Sequence, residues 1–387
     1  MVVVSGVRTT QNIEQARRVV DMAKEIALLD PNESPFVTFL KVAKRGTRVA
    51  YNPKFEWLED DLLTNYSNVA TAISSAETTT LVVDDGGLFK AGDVLSIPSV
   101  SENMLVTAVS ENNLTVIRGY GTTSAAASIA VDALVLKIGS SMMENSSAPA
   151  VITTKETNKY NYTQIFRTPV ALSGTEIASK LYGGKDRAYQ RRKKSLEHKR
   201  DIALAMYFGQ RKEDTSGTAV RRTMAGLDYF MSQTVAFASS GSPLTWANFD
   251  RLVAQKVFSH GSREKLLIAG PKLASAINLW AIKKVVTNVD PAATYGMRVK
   301  NLTTSYGDLK VIYDPLLADG YHDGYGYVVD PDNIRYTYLD GRDTKLNTNI
   351  QDNDTDGVMD EYITECSLEV KLPETHMRIT GCYDITE

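Results

Sequence analysis

The residues whose types and spacing most resemble chemistry stand near the C-terminus, in the run Asp352-Asn-Asp-Thr-Asp-Gly-Val-Met-Asp360. The carboxylates of Asp352, Asp354, Asp356 and Asp360, a turn glycine at Gly357 and the Val358 carbonyl match the early positions of an EF-hand-type loop. In such a loop alternate oxygens converge on a hard cation, calcium above all. The twelfth position, where a bidentate Glu closes the shell, is Ile363, and Glu361 comes two places early. No helical pattern flanks the run. Calcium at these residues is one expectation and a solvated acidic loop the other.

The remaining reactive side chains form no motif. His198, His260, His322 and His376 lie far apart, and Cys366 and Cys382 are the only cysteines. A disulfide framework is therefore not expected, and the two thiols read as small buried hydrophobes of a reduced chain. Gly-x-Ser-x-Gly, His-Glu-x-x-His, a phosphate-binding glycine loop and paired Cys spacings are all missing. Gly119-Tyr-Gly-Thr-Thr has no Lys-Ser/Thr after it and no helix beside it. The chain does not read as an enzyme.

A second chemical feature is charge. Between Lys185 and Lys212 there are ten Lys/Arg against three acids, a local excess of about +7 on a chain whose net charge is −3. Arg187, Arg191, Arg192, Lys193, Lys194, Lys199 and Arg200 fall on one helical stretch. They would offer a face to nucleic-acid phosphates or to an acidic surface of another subunit; the bland alternative is a solvated face with ordinary ion pairs. Aromatic interleaving is sparse, so base stacking is not indicated. His198, inside this stretch, reads as an exposed or satisfied helix residue rather than a base.

The elements that must position these groups are legible in part. Residues 175–209 read as a helix with an apolar face of Leu196, Leu204 and Phe208, widened by Ala203 and Tyr207. Gly183-Gly184 would break its front and Gly209 close it. Upstream, residues 13–28 form an amphipathic helix pattern, Phe36, Phe39 and Leu40 are offered to a core, and Arg48–Trp57 is an extended segment broken by Pro53. Residues 70–140 change character. Thr79–Val83, Asp93–Ile97, Met104–Val109, Leu114–Arg118 and Ala133–Ile138 are strand-like runs parted by Gly, Asn and Asp turns, as in a small barrel or sandwich. From 220 to 380 the pattern is α/β: a helix over Thr245–Phe258 with Thr245 as cap, a buried strand at Lys265–Ala269, and a helix from Pro271 with Leu273, Ile277 and Trp280 on one face. Further strands fall near 307–313, 325–329, 365–372 and 376–381.

At 387 residues, 43% hydrophobic and 23% charged, the chain is long enough for two to three domains with proper cores. Neither a signal-peptide pattern nor a run of about 18 apolar residues is present, so a soluble protein without a membrane partner is expected.

The order of five segments carries a resemblance: Leu29–Phe36, Leu88–Asp93, Val116–Gly121, Thr163–Phe166 with Val170–Thr175, and Glu369–His376. In that order the chain resembles the major capsid proteins of tailed bacteriophages, with the α+β Hong Kong 97-type fold. The resemblance implies an N-terminal arm at 1–35, and an extended loop with peripheral-domain strands at 36–69 and 141–175. It further implies an inserted small all-β domain at 70–140, a spine helix and peripheral domain at 176–224, an axial domain at 225–365, and C-terminal strands at 366–387 returning to the peripheral domain. No long scaffolding segment stands ahead of the arm, which speaks against fused scaffolding.

The implied function is an icosahedral head shell, assembled from hexamers and pentamers of this chain and enclosing double-stranded DNA. A separate scaffolding protein, a portal and decoration proteins would be its partners. The virion would be its destination and the host bacterial cytoplasm its place of synthesis. Two rivals stand beside this expectation: a calcium-stabilised carbohydrate-binding or adhesive protein, and a tail or baseplate structural protein.

Overall fold

The computed structural model describes residues 35–42, 46–149, 151–180, 185–237, 243–284 and 300–382. The expected helix at 13–28 and most of the expected arm lie outside them. Strands are numbered β1 to β21 and helices α1 to α7 along the chain. Two compact units emerge: Leu58–Lys159, and the remainder of the chain on either side of it.

The larger unit is built on two sheets. In the first, β10 (Gln164–Ser173) and β20 (Gly357–Val370) run antiparallel through ten register pairs, from Gln164 opposite Cys366 to Ser173 opposite Gly357. β18 (Ile334–Leu339) flanks β20 and carries β1 (Thr47–Ala50) on its outer side, while β19 (Lys345–Asn347) also pairs with β20. One face of this sheet is covered by α1 (Pro35–Val42) and by the long helix α3 (Asp186–Phe208), which follows the one-turn α2 (Gly174–Ala178).

Phe36 and Leu40 meet Ile202, Met206 and Tyr207 there, over Tyr336, Cys366, Leu368 and Val370, with Phe36 and Tyr207 stacked at 5.0 Å. Each such side chain contributes about 1.5–3 kcal/mol by leaving water. Cys366 is a free thiol inside this cluster and Cys382 one inside the next, as expected of small hydrophobes.

The buried face of α3 is Ile202, Ala203, Met206 and Tyr207 with His198, whereas Leu196, Leu204 and Phe208 are only half-buried. The expected stripe was rotated because its pattern was anchored on Leu196. The first half of the helix faces the sheet through charged and polar groups, and apolar packing begins only at Ile202.

Gly209 ends the helix, its N–H reaching the Ala205 carbonyl at 2.9 Å. A Cβ on Gly209 would stand 2.4 Å from that oxygen and 2.6 Å from the Met224 carbonyl, both of them backbone atoms. Gly209→Ala is expected to lower stability by about 1–3 kcal/mol, read as an earlier midpoint in chemical denaturation. An unchanged midpoint would show that the helix end relaxes freely.

The second sheet has the order β13 (Thr234–Ala236), β21 (Met377–Thr380), β17 (Gly326–Val329), β14 (Glu264–Ala269), β16 (Asp308–Tyr313), β15 (Lys300–Thr303). Its core takes Phe249, Val253 and Val257 from one helical segment, and Leu273 and Ile277 from α7 (Pro271–Lys284). That segment runs as α5 (Trp246–Phe249), a π-helical turn over Asp250–Ala254, and α6 (Gln255–Val257). Thr245 caps it by accepting from the Asn248 N–H. The short α4 (Leu227–Phe230) and the hairpin of β11 (Lys212–Asp214) and β12 (Arg221–Thr223) precede it.

The expected boundaries at 225 and 365 do not follow these sheets. β18, β19 and most of β20, placed by sequence in one block with β14 to β17, belong to the first sheet. β21, expected to return there, instead pairs with β13 and β17 in the second. The cause is non-local pairing: strand runs reveal period and burial, while partner choice across a hundred residues or more is set by the assembled core. β2 (Lys54–Glu59) and β9 (Thr157–Tyr162) form a separate two-stranded sheet.

The unit Leu58–Lys159 is all-β. β3 (Tyr66–Asn68), β8 (Leu134–Ser140), β5 (Asp93–Ile97), β6 (Glu102–Ser110), β7 (Asn113–Ile117) and β4 (Thr80–Val82) pair in that spatial order. A bridge between Val69 and Val83 joins the two ends, so the sheet closes on itself. Its interior is aliphatic: Leu81, Leu95, Ile97, Met104, Val106, Leu114 and Val135 are fully buried. Glu102 is buried among them and satisfied by the Arg118 guanidinium and by the backbone N–H groups of Gly119 and Ala126. Among the described residues no helix is long and apolar enough to cross a membrane.

Candidate functional site

The chemistry singled out by sequence converges where α3 crosses β20, in an arrangement unlike a metal loop. Asp360 lies four residues into β20 and is 1% exposed. Its Oδ2 accepts from Arg187 Nε and from Arg191 Nε, each at 2.8 Å. Its Oδ1 accepts from Arg187 Nη2 at 2.6 Å and from the Asn349 N–H at 3.1 Å. Arg187 also donates to Asn349 Oδ1 at 2.7 Å. Arg187, then Arg191, hold the Asp360 carboxyl well below the usual carboxylate range despite its burial.

This corrects two expectations. Asp360 does not join Asp352, Asp354 and Asp356 around an ion: those three are exposed on the preceding turn. Among the described residues no group of three or more His, Cys, Asp or Glu side chains is placed to hold a metal. The reason is local. β20 begins at Gly357, so Val358–Asp360 are extended strand rather than wrapping loop, and the alternation of the strand turns Asp360 onto the helix. Likewise Arg187 and Arg191, i and i+4 on α3, point into the sheet and are not part of an outward basic face.

His198, two turns on, is buried rather than exposed, and fully partnered. Its Nδ1 lies 2.8 Å from Thr168 Oγ1 on β10 and its Nε2 lies 2.7 Å from Thr364 Oγ1 on β20. Burial lowers its pKa, partly opposed by Asp201, so the ring is held neutral. Helix and sheet are thus fastened at two levels, one ionic and one neutral.

The opposite side chains of β20 repeat the ionic device. Glu361 accepts from Nε and Nη2 of Arg167 on β10, and Glu365 accepts from Arg342 and, at 2.8 Å, from Thr163 Oγ1. Glu369 takes Arg48 from β1, with Lys371 Nζ at 3.2 Å. Four carboxylates on one strand therefore tie down α3, β10, the loop after β18, and β1. The signal that could have revealed this is the succession of acids at Asp360, Glu361, Glu365 and Glu369 in a stretch otherwise too apolar for solvent.

What is left of the cationic run is narrower than its sequence suggests. Lys194 pairs with Glu197 at 2.6 Å. Lys199 is exposed and makes an interaction of its own. Arg192, Lys193 and Arg200 make no ion pair among the described residues; Arg192 and Arg200 are exposed and Lys193 half-buried. They stand on the side of α3 away from Asp360, with Lys193 and Arg200 seven residues, or about 10 Å, apart along the helix.

One sheet covered by a long helix, together with a second, mixed sheet, is the Hong Kong 97-type fold of capsid shell proteins. The fold is similar to that of the capsid of the native GTA particle (TM-score 0.50, 12% identity, 96% of this chain and 97% of that one). It is equally similar to the capsid of the empty GTA particle (TM-score 0.50, 10% identity, the same coverage of each chain). The family model of the SU10 major capsid protein matches residues 4–383, and the chain belongs to that family. A major capsid protein of Pseudomonas phage PaMx41 is 25% identical over 291 residues, 72% of this chain and 69% of that one. This chain is accordingly a phage major capsid protein, a subunit of the capsid shell and part of the virion.

Proposed function

We propose that the shell is icosahedral, is assembled from hexamers and pentamers of this chain, and encloses double-stranded DNA against which the free side of α3 is turned. The observation that carries the reading is the division of labour on that helix. Arg187 and Arg191 are spent on Asp360, while Arg192, Lys193 and Arg200 keep uncompensated charge on the other side. Like charge left unpaired on a rigid helix is favourable only where anions are supplied, and packaged DNA supplies one negative charge per about 1.7 Å of its axis.

The role is mechanical rather than catalytic. The family's members are capsid proteins, and Arg187, Arg191 and His198 on α3, with Asp360, Glu361, Glu365 and Glu369 on β20, are engaged in holding elements together. β2 and β9 would form the extended loop, the sheet of β10 and β20 under α3 the peripheral domain, and the sheet of β14 to β17 the axial domain. Synthesis in the host bacterial cytoplasm, with a separate scaffolding protein, a portal and decoration proteins as partners, belongs to the same reading.

The test compares particles of the parent chain with the Arg192→Glu, Lys193→Glu, Arg200→Glu variant. Electron microscopy of both should show closed icosahedral shells of equal size. DNA binding to the inner surface should weaken and lose salt dependence, its log–log slope falling by about 0.9 for each phosphate contact removed. Shells of the variant that hold DNA with the parent's salt dependence would remove α3 from the DNA-facing surface.

A further inference from the structure

The outer wall of the all-β unit is built the opposite way from an ordinary protein surface. β3 to β8 contain three charged residues, Asp93, Glu102 and Lys137, and all three are kept from the outer face: Asp93 and Glu102 are fully buried, Lys137 is paired to Asp93 at 2.7 Å, and Glu102 to Arg118. Outward positions are apolar or neutral. Val94, Leu105 and Ile117 are register partners in one row across three strands. Tyr66 and Leu136 are partners in a neighbouring row, beside Leu134. Tyr66 and Ile117 are about half exposed, 54% and 50%. Depletion of charge at the centre of a patch, with aromatic and aliphatic side chains retained, marks the core of a protein interface rather than free surface.

We infer that this wall, centred on Leu105, docks against the same wall of a second copy of the chain in the assembled shell. Two features select that occupant. An uncharged face meets a copy of itself without like-charge repulsion, and it offers nothing to nucleic acid. Six side chains also fall far short of the roughly 20–30 residues a side that hold a free-standing partner. A contact this small persists only when other interfaces already bring the two faces together, and a shell of identical subunits does so by raising their effective concentration. The inference rests on the shell reading and deepens it.

Leu105→Asp and Leu105→Lys place like charges face to face at the centre of the contact. Each alone should reduce the yield of particles at least about tenfold, and co-expression of the two should restore it. In a separate arm, Leu105→Cys particles exposed to mild oxidant should give a covalent dimer on a non-reducing gel, and dissociated subunits should not. The native thiols, Cys366 and Cys382, are buried. The cysteine arm decides the matter even where the charged variants fail to fold. Particles of Leu105→Asp formed at parental yield, or Leu105→Cys particles without covalent dimer, would overturn the contact. So would variants that assemble normally and lose only an added decoration protein. The two readings fail separately: a parent chain that never forms particles counts against the shell, and particles indifferent to Leu105 count against the wall.

Discussion

Asp360→Asn should cost this subunit about 3 kcal/mol, seen as a melting temperature roughly 5 °C or more below the parent's. The carboxylate is 1% exposed and accepts four hydrogen bonds, from Arg187, Arg191 and the Asn349 N–H. Asparagine keeps the size and one acceptor oxygen but turns an amide toward two guanidiniums. Breaking a fully buried pair by removing one partner costs about 3–5 kcal/mol. The lower end applies because the Arg187 and Arg191 side chains are 33% and 28% exposed and recover some hydration. Arg187→Gln should cost less, about 1 kcal/mol, since Arg191 still neutralises the acid. The loss should appear in the melting of dissociated subunits, because the pair lies within one chain. An Asp360→Asn subunit melting within a degree of the parent would show that the α3–β20 junction stands on apolar packing alone.

How far the chain was legible before its fold was known depends on the range of the interaction. Short-range physics read well. Asp93–Ile97 alternates as a strand, Thr245 sits three residues ahead of the N–H it caps, and Pro271 opens its helix with Leu273, Ile277 and Trp280 buried on one side. Long-range pairing did not. The acidic run before β20 has the two-residue spacing that both a calcium loop and an alternating strand produce, so spacing alone could not separate Asp360 from Asp352, Asp354 and Asp356. Only the arrival of Arg187 and Arg191, about 170 residues upstream, decides which pattern applies.

The same limit governed the cationic helix. Counting charge locates it, but which cations are free depends on an acid from the sheet beneath, Asp360 on β20, which takes Arg187 and Arg191. β21 is a further case: a four-residue strand beside β20 in sequence belongs to the other sheet, because its Met377 and Ile379 fill the core beneath β17 and β13. Composition could state that the Leu58–Lys159 unit was β-rich. That its charges turn inward follows only from register.

Acidification should unfold the subunit in a window separate from that of Asp360, and His376 should set it. This ring is completely buried between β17 and β21. Its Nδ1 accepts the Asp330 N–H at 3.1 Å, and its Nε2 faces the Lys371 carbonyl at 3.1 Å, which fixes the neutral tautomer. Burial pushes its pKa down to about 4, and the nearby Lys265 ammonium adds to the effect while the Lys371 carbonyl and Asp330 oppose it. Lys265 is itself buried, donating to the His260 and Thr375 carbonyls and facing Asp330 at 3.6 Å, so a proton on the ring would place a second cation near a buried one. In the unfolded chain the same ring titrates near 6.5. Between those values the unfolded state binds the extra proton, so stability is full above about pH 6.5 and declines steadily as pH falls toward 4. The integral is about 3 kcal/mol. His198, also lowered by burial, adds to the slope in the same direction. The Asp360 pair contributes nothing here, because its stability is lost only as pH falls below about 4 through its depressed native value. Melting curves of the dissociated subunit from pH 8 to 4 should therefore be flat and then fall, and His376→Asn, which can present an acceptor and a donor in the same places, should flatten the descent. A variant that falls as steeply as the parent would move the acid sensitivity away from His376.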